Sequence, residues 1–193
     1  LLGSFAGQLT ESGIVGARIE YEGEVAGMNT RALGAAVLAG LLKPQLDAVN
    51  MVSAPVMAKE RGIAVEDVRR GDQGTYDSLI RLTVRTDKQE RSLAGTVFAD
   101  GKPRLVEVKG IQMDAEFQPS MLYVTNKDKP GFIGRLGTLL GTRDVNIATF
   151  ALGRKAAGED AICLIAVDGP VTDALLADVA ALDGVVQAKR LAF

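Results

Sequence analysis

Hydrophobic residues recur every three or four positions in some stretches of the chain and every second position in others. The longer spacing predicts a helix, because such residues share one helix face, whereas alternation predicts a strand with one buried face. On the strand at 18–25 this places Glu20, Glu22 and Glu24 on the solvated face. The elements predicted in the first part of the chain are a helix tail at 1–13, a strand at 18–25, helices at 29–46 and 53–62, and strands at 78–86, 90–98 and 104–110.

A polar segment with a proline, at 114–119, interrupts these patterns, so we predict a domain boundary between residues 118 and 119. Beyond it the order becomes strand, helix, strand, strand, helix and strand, which is the βαββαβ order of a ferredoxin-like fold. The predicted fold class is therefore α+β, with an antiparallel-sheet domain at 1–118 and a ferredoxin-like domain at 119–193. The elements of the second domain are predicted at 122–125, 131–142, 146–152, 160–167, 172–182 and 185–191.

The composition excludes several kinds of chemistry. Among 193 residues there are 22 Lys and Arg, 24 Asp and Glu, and no His, so histidine triads and histidine-containing zinc sites are excluded. The single cysteine, Cys163, excludes an internal disulfide. Because charge is nearly balanced, we expect no nucleic-acid partner. The longest apolar run, 32–42, is shorter than a membrane span of about 20 residues, so we expect no membrane partner. We also expect no metal and a cytoplasmic location. The abrupt start on two leucines predicts a fragment of a longer protein.

The residues before the predicted helix at 131–142 carry the chemistry of an amino-acid site. A helix N-terminus offers unpaired N–H groups to a carboxylate. Beside it, Asp128 and Asn126 can hold an ammonium and a hydroxyl group, and serine carries all three of these groups. Capping of the helix would by itself also explain Asp128, and turn formation would explain Asn146, the other amide nearby in the sequence.

Three glycines of this helix, Gly134, Gly137 and Gly141, fall on one face. Each costs about 1 kcal/mol of helix stability relative to alanine, so their spacing needs a reason. A face without Cβ atoms lets a second backbone or a small ligand come close. Tight packing against the protein's own sheet is the alternative explanation.

Longer motifs connect the chain with a known family. The stretch 123–154 contains Asp128-Lys-Pro-Gly, a helix and then Val145-Asn-Ile, and it resembles the first half of an ACT domain, an amino-acid-sensing module of metabolic enzymes. Upstream, Asn29-Thr-Arg-Ala-Leu and Val49-Asn-Met-Val-Ser-Ala-Pro are similar to an intervening, allosteric substrate-binding domain. Together the two parts resemble the C-terminal regulatory half of the long-form D-3-phosphoglycerate dehydrogenases.

The resemblance implies L-serine as an effector, bound between the ACT domains of a homodimer, with a dimer or tetramer in the parent enzyme. It implies NAD as the cofactor of that parent and none in this chain, which lacks a GxGxxG motif and, without histidine, the family's His–Glu catalytic pair. It also implies an anion site of basic residues, for which Arg104 and Lys109 are the nearest cations. The implied serine contacts within one chain are Asn126, Asp128, Pro130, Gly131, Phe132 and Ile133. The remaining implied contact is Asn146 of the partner subunit.

Two other interpretations fit the same residues. The small subunit of an iron–sulfur L-serine dehydratase resembles the same pair of domains, and its cluster would lie on another subunit. A scaffold whose ACT-like fold only holds dimers together would bind no ligand at Asp128 or Asn146. The interpretation we favour is a regulatory fragment of a D-3-phosphoglycerate dehydrogenase under feedback control by serine.

Overall fold

The computed structural model describes residues 1–72 and 74–193. These residues form two compact units, Leu1–Lys109 and Gly110–Phe193. The polar segment at 114–119, expected to separate the domains, overlaps a strand, Ile111–Glu116, that belongs to the second unit. The domain limits inferred from the sequence, 1–118 and 119–193, stay a prediction.

The first unit contains a mixed sheet and short helices. Its elements are α1 (Leu2–Gln8), β1 (Ile14–Gly23), α2 (Thr30–Leu42), α3 (Ala54–Glu60), β2 (Ala64–Arg70), β3 (Ser78–Thr86), β4 (Glu90–Val97) and β5 (Pro103–Val108). The strands lie in the order β2-β1-β3-β4-β5. Strands β1 and β2 are parallel, and the other neighbours are antiparallel. The meander of β3, β4 and β5 agrees with the sequence pattern, whereas β2 was not predicted.

Helices α1 and α2 pack closely enough for their backbones to meet. A Cβ atom on Gly40 of α2 would lie 2.7 Å from the main-chain nitrogen of Ser4. A Cβ atom on Gly7 of α1 would collide with the carbonyl of Leu41. Glycine allows this approach because it has no Cβ. Phe5 of α1 is almost completely buried.

The solvated face predicted for β1 is only partly correct. Glu20 is 8 % exposed, and its Oε1 pairs with Arg18 Nη2 at 3.2 Å and with Arg70 Nη2 at 3.1 Å. Arg70 comes from β2, the parallel neighbour of β1. Two guanidinium groups thus replace water around this carboxylate. The interpretation of Glu20 as a solvated residue is therefore wrong.

The second unit is a ferredoxin-like fold preceded by one further strand. Its elements are β6 (Ile111–Glu116), β7 (Ser120–Lys127), α4 (Phe132–Thr142), β8 (Ile147–Arg154), β9 (Asp160–Val167), α5 (Asp173–Ala180) and β10 (Val185–Ala192). The strands from β7 onward form a sheet in the order β10-β7-β9-β8, with antiparallel neighbours. The predicted α+β class and the βαββαβ order are confirmed, and β8 is an outer strand of this sheet.

The core of the second unit lies between its two helices and its sheet. Apolar side chains of α4 and α5 meet those of the central strands, among them Leu122, Val124, Phe132, Leu136, Leu140, Cys163, Ile165, Leu175 and Val179. On β8, a Cβ atom at Gly153 would lie 2.6 Å from the carbonyl oxygen of Gln112 on β6, so this close contact requires glycine. The candidate site lies at the ends of the strands that this packing positions.

Candidate functional site

The candidate effector residues gather where β7 leads into α4. Lys127 ends β7 and pairs in register with Asp160 of β9. The main-chain N–H of Asp128 then donates to the carbonyl oxygen of Glu159 at 2.8 Å. Asp128 therefore lies beside the turn between β8 and β9, and sheet register sets its position.

Two donors hold the Asp128 carboxylate. Its Oδ2 accepts hydrogen bonds from Arg154 Nη1 at 2.8 Å and from the main-chain N–H of Gly158 at 3.3 Å. The hydrogen bond from Arg154, followed by that from Gly158, lowers the pKa of Asp128, so the carboxylate stays negative. Helix α4 has no side-chain cap. The capping explanation of Asp128 is therefore wrong.

Helix α4 begins at an exposed and uncapped end. Its N-cap is Gly131, with φ +82°, a left-handed conformation that glycine adopts readily. The main-chain N–H of Arg135 donates a hydrogen bond to the carbonyl oxygen of Gly131 at 3.0 Å, which closes the first turn of the helix. A helix leaves the N–H groups of its first turn without intrahelical acceptors. Those of Ile133 and Gly134 can therefore receive an anion.

A pocket of about 540 Å³ opens between this helix start and the β8–β9 turn. It is lined by Asn126, Asp128 and residues 130–133, so it brings together all the predicted serine contacts except Asn146. It also includes Leu152 and Arg154 of β8, which the sequence did not indicate. Leu152 ends the strand predicted at 146–152, and Arg154 lies two residues beyond it.

Asn126 lies on the inner wall of the pocket. It is 2 % exposed, its Nδ2 donates to the Lys127 carbonyl oxygen at 2.9 Å, and its Oδ1 accepts a weak hydrogen bond from Cys163 Sγ at 3.7 Å. An amide has two N–H groups and two acceptor lone pairs. One of each therefore remains for a ligand. Burial raises the pKa of Cys163 to about 12, so this thiol stays protonated at neutral pH.

Asn146 lies at the opposite end of the sheet from Asp128. It precedes Ile147, which pairs with Val167, whereas Arg154 beside the pocket pairs with Ala161. Its Nδ2 donates to Asp168 Oδ2 at 2.7 Å. Within one chain, Asn146 therefore cannot contribute to the Asp128 pocket.

The glycine face of α4 is open. A Cβ atom on Gly134, Gly137 or Gly141 would have no neighbour within 4 Å among residues 1–72 and 74–193. The explanation that these glycines accommodate the protein's own sheet is therefore wrong. Two apolar side chains of the nearby pocket are also exposed, Ile133 by 48 % and Leu152 by 42 %.

Arg104 lies near the start of β5, and Lys109 directly follows its end. Arg104 Nη2 pairs with Asp100 Oδ2 at 3.1 Å, and its guanidinium carbon lies 5.1 Å from the ring centroid of Phe98. Lys109 follows β5 with a φ of +53°. A strand advances about 3.3 Å per residue, which places the two Cα atoms roughly 16 Å apart. An anion site at these residues stays a prediction.

The charged groups of the pocket suit an organic ion that carries both signs of charge, since Asp128, Lys129 and Arg154 all line it. Across the described part of the chain there is no group of three or more Cys, Asp or Glu residues arranged to hold a metal ion. Nor does any helix within the described ranges have the length and apolar character needed to cross a membrane.

Comparison with known proteins assigns both units to described domains. Residues 120–184 match the family model of the ACT domain, so fold and site together define an ACT-type regulatory unit. Residues 1–109, more than half of the chain, match the model of the D-3-phosphoglycerate dehydrogenase intervening domain. The chain belongs to the D-3-phosphoglycerate dehydrogenase family, and the resemblance found in the sequence is confirmed.

Curated relatives agree with this assignment. The D-3-phosphoglycerate dehydrogenase of Bacillus subtilis is 32% identical over 98% of this chain and 36% of its own length. That of Archaeoglobus fulgidus is 35% identical over 89% of this chain and 33% of its own length. The chain thus spans about a third of the relatives it matches. Among solved structures, the ACT domain from GTP pyrophosphokinase of Chlorobium tepidum matches with a TM-score of 0.33 and 23% identity, over 37% of this chain and 95% of that one.

Proposed function

We propose that this chain is the regulatory part of a D-3-phosphoglycerate dehydrogenase and that L-serine, the end product of the pathway, binds in the Asp128 pocket to exert feedback control. The observation that carries the proposal is an ionised carboxylate that shares one pocket with an uncapped helix N-terminus. An α-amino acid presents an ammonium and a carboxylate to match them. The ACT family match supports a ligand of this class.

Each group of serine has a partner in the pocket. Asp128 accepts hydrogen bonds from the ammonium, and the main-chain N–H groups of Ile133 and Gly134 bind the carboxylate. The remaining N–H and lone pair of Asn126 suit the hydroxyl group at the inner wall. Pro130 and Gly131 shape the helix start, and Phe132, 3 % exposed, anchors it in the core.

A homodimer through β8 would complete this site. Two copies of an outer strand that pair antiparallel about a two-fold axis place the start of one beside the end of the other. Asn146 precedes β8 and Arg154 ends it, so Asn146 of the partner subunit would reach the Asp128 pocket. The exposed Ile133 and Leu152 and the open glycine face of α4 support such an interface.

For the whole protein we propose the activity of its relatives. It would oxidise D-3-phosphoglycerate with NAD, and both the cofactor and the catalytic groups would lie outside this chain. The enzyme would act in the cytoplasm as a dimer or tetramer. Serine would control it only if serine binds one arrangement of the subunits more tightly than another.

A second candidate function is a dimerisation scaffold without a ligand. It is favoured by one observation, that the polar groups of the site already have partners: Asp128 pairs with Arg154, and Asn126 bonds to Lys127 and Cys163. No comparable observation favours the small subunit of a serine dehydratase, since the relatives named above are dehydrogenases.

Isothermal titration of the whole chain with L-serine tests the proposal, with D-serine and glycine as competitors of different shape. Asp128→Asn removes the charge that holds the ammonium and keeps the side-chain volume. Asp173→Asn is the matched control, because Asp173 pairs with Arg190 outside the pocket. We expect one L-serine per chain, binding lost in Asp128→Asn and unchanged in Asp173→Asn.

The oligomeric state gives a second measurement. Sedimentation velocity should detect a dimer whose dissociation is suppressed by L-serine, and Asn146→Ala should abolish this effect. Absence of binding at millimolar L-serine, in a chain that is dimeric by sedimentation, would favour the scaffold. Binding to a monomer would contradict the shared site.

A further inference from the structure

We propose that Arg154 determines the specificity of the Asp128 pocket for amino acids with a free carboxylate: its guanidinium binds the ligand's carboxylate while it stays paired with Asp128. The inference rests on the proposed function and deepens it. Neither the sequence motif nor the family matches pointed to this residue.

The position of Arg154 carries the inference. It is the last residue of β8 and lines the pocket, and its side chain is 57% exposed. A guanidinium has five N–H donors in a planar fork. Its one hydrogen bond within the described residues runs from Nη1 to Asp128 Oδ2. The donors on Nε and Nη2 therefore remain for a carboxylate.

The pair of charges matches the geometry of the ligand class. Asp128 uses Oδ2 for Arg154 and for the N–H of Gly158, which leaves Oδ1 for an ammonium. An α-amino acid carries its ammonium and its carboxylate on one carbon atom. A carboxylate and a guanidinium that touch each other can therefore bind both groups side by side. The contact to Gly158 keeps Asp128 in place if Arg154 moves.

The helix N-terminus alone would not give the same selectivity. The main-chain N–H groups of Ile133 and Gly134 can also donate to the neutral carbonyl oxygen of an amide, whereas a full positive charge discriminates strongly between a carboxylate and an amide. Arg190 provides a matched control for loss of one guanidinium. Like Arg154 it pairs through Nη1 with an aspartate, Asp173, at 3.0 Å, and it does not line the pocket.

Titration with two ligands tests the inference. L-serine and L-serinamide share the ammonium and the hydroxyl, but the amide lacks the negative charge. The unaltered chain, Arg154→Met, Arg154→Lys and Arg190→Met are compared, after circular dichroism has shown that each is folded. We expect Arg154→Met to weaken L-serine binding about tenfold or more, since a charge-assisted hydrogen bond is lost. Binding of L-serinamide should change little, Arg154→Lys should be intermediate, and Arg190→Met should keep the preference for L-serine.

The outcomes separate this inference from the proposed function. Equal weakening of both ligands by Arg154→Met would mean that Arg154 acts only through Asp128, which overturns the inference and leaves serine binding intact. An unchanged preference for L-serine in Arg154→Met overturns it as well. If the unaltered chain binds neither ligand, the proposed function itself fails and the inference fails with it.

Discussion

Replacement of Gly40 by alanine tests how closely α1 and α2 pack. The new Cβ atom would lie 2.7 Å from Ser4 N, 3.1 Å from the Gly3 carbonyl carbon and 3.3 Å from Gly3 Cα. All three are main-chain atoms, so no side-chain rotation relieves the contact. Favourable contacts between heavy atoms begin at about 3.5 Å. Helix α1 would therefore have to withdraw by roughly 0.8 Å.

The structure sets the magnitude of this effect. Overpacking of a core costs about 1–3 kcal/mol. The upper half of that range applies because Phe5 of α1 and Leu9, which directly follows that helix, are each 1% exposed and have little room to shift. The better helix propensity of alanine offsets about 1 kcal/mol of this cost. We therefore expect Gly40→Ala to lower the free energy of unfolding by about 1–2 kcal/mol.

Urea unfolding followed by far-ultraviolet circular dichroism measures this change, since the chain has no tryptophan for fluorescence. The matched control is Ala36→Gly in the same helix, at an exposed position. Ala36→Gly should lose about 1 kcal/mol of unfolding free energy through helix propensity alone. By helix propensity alone, replacement of a glycine by alanine would therefore stabilise the protein, which is the opposite of the result expected for Gly40→Ala. A Gly40→Ala protein as stable as the unaltered one, at an unchanged dependence on urea, would refute backbone contact between the two helices.

Three other predictions concern single side chains. Burial raises the pKa of Cys163 to about 12, so the folded chain should not react with a thiol reagent at pH 8, and the thiol should react once guanidinium unfolds the protein; fast reaction in buffer would contradict its burial. The Arg154 and Gly158 donors hold the pKa of Asp128 below its ordinary value of 3.8. The ionised carboxylate therefore stabilises the fold at pH values above 3.8, and this stabilisation is lost as the pH falls through the lower pKa of the folded state. A carbon-13 NMR titration should give a midpoint below 3.8 that rises in Arg154→Met. The Tyr21 hydroxyl lies 3.1 Å from the Thr30 carbonyl oxygen and 3.2 Å from Asp67 Oδ1, so Tyr21→Phe should cost about 1 kcal/mol in urea unfolding, and an unchanged midpoint would argue against that hydrogen bond.

The sequence patterns failed to predict those features of the fold that depend on pairing between strands distant in the sequence. Strand β2 was not predicted because its residues are exposed apart from the half-buried Val68, so no alternation marks it. Its main-chain pairing with β1 creates it. The same pairing brings Arg70 to Glu20, which alternation alone had assigned to solvent. Helix α4 and strand β9 carry strong local periodicity, and both were predicted close to their observed limits.

The candidate site also has one part that the sequence predicts and another that depends on pairing between strands. The predicted contacts from Asn126 to Ile133 fall within one short stretch of the chain, so their meeting at the start of α4 follows from the local order of strand and helix. Arg154 and Gly158 join them only because the register of β7, β9 and β8 brings the β8–β9 turn beside Asp128. No local pattern encodes that register. The capping explanation of Asp128 was wrong for the same reason, since its partners lie across the sheet.

The separation of Asn146 from Asp128 bears on regulation. A pocket built wholly within one chain binds its ligand equally well in a monomer and in a dimer, and a ligand without differential affinity shifts no equilibrium. Here Asn146 lies at the far end of β8 from the pocket, so under the proposed function serine would contact two chains at once. The factor by which dimerisation strengthens serine binding must then equal the factor by which serine strengthens the dimer. Under the proposed function, an outer strand with half of the site at each end would therefore couple ligand binding to the arrangement of subunits.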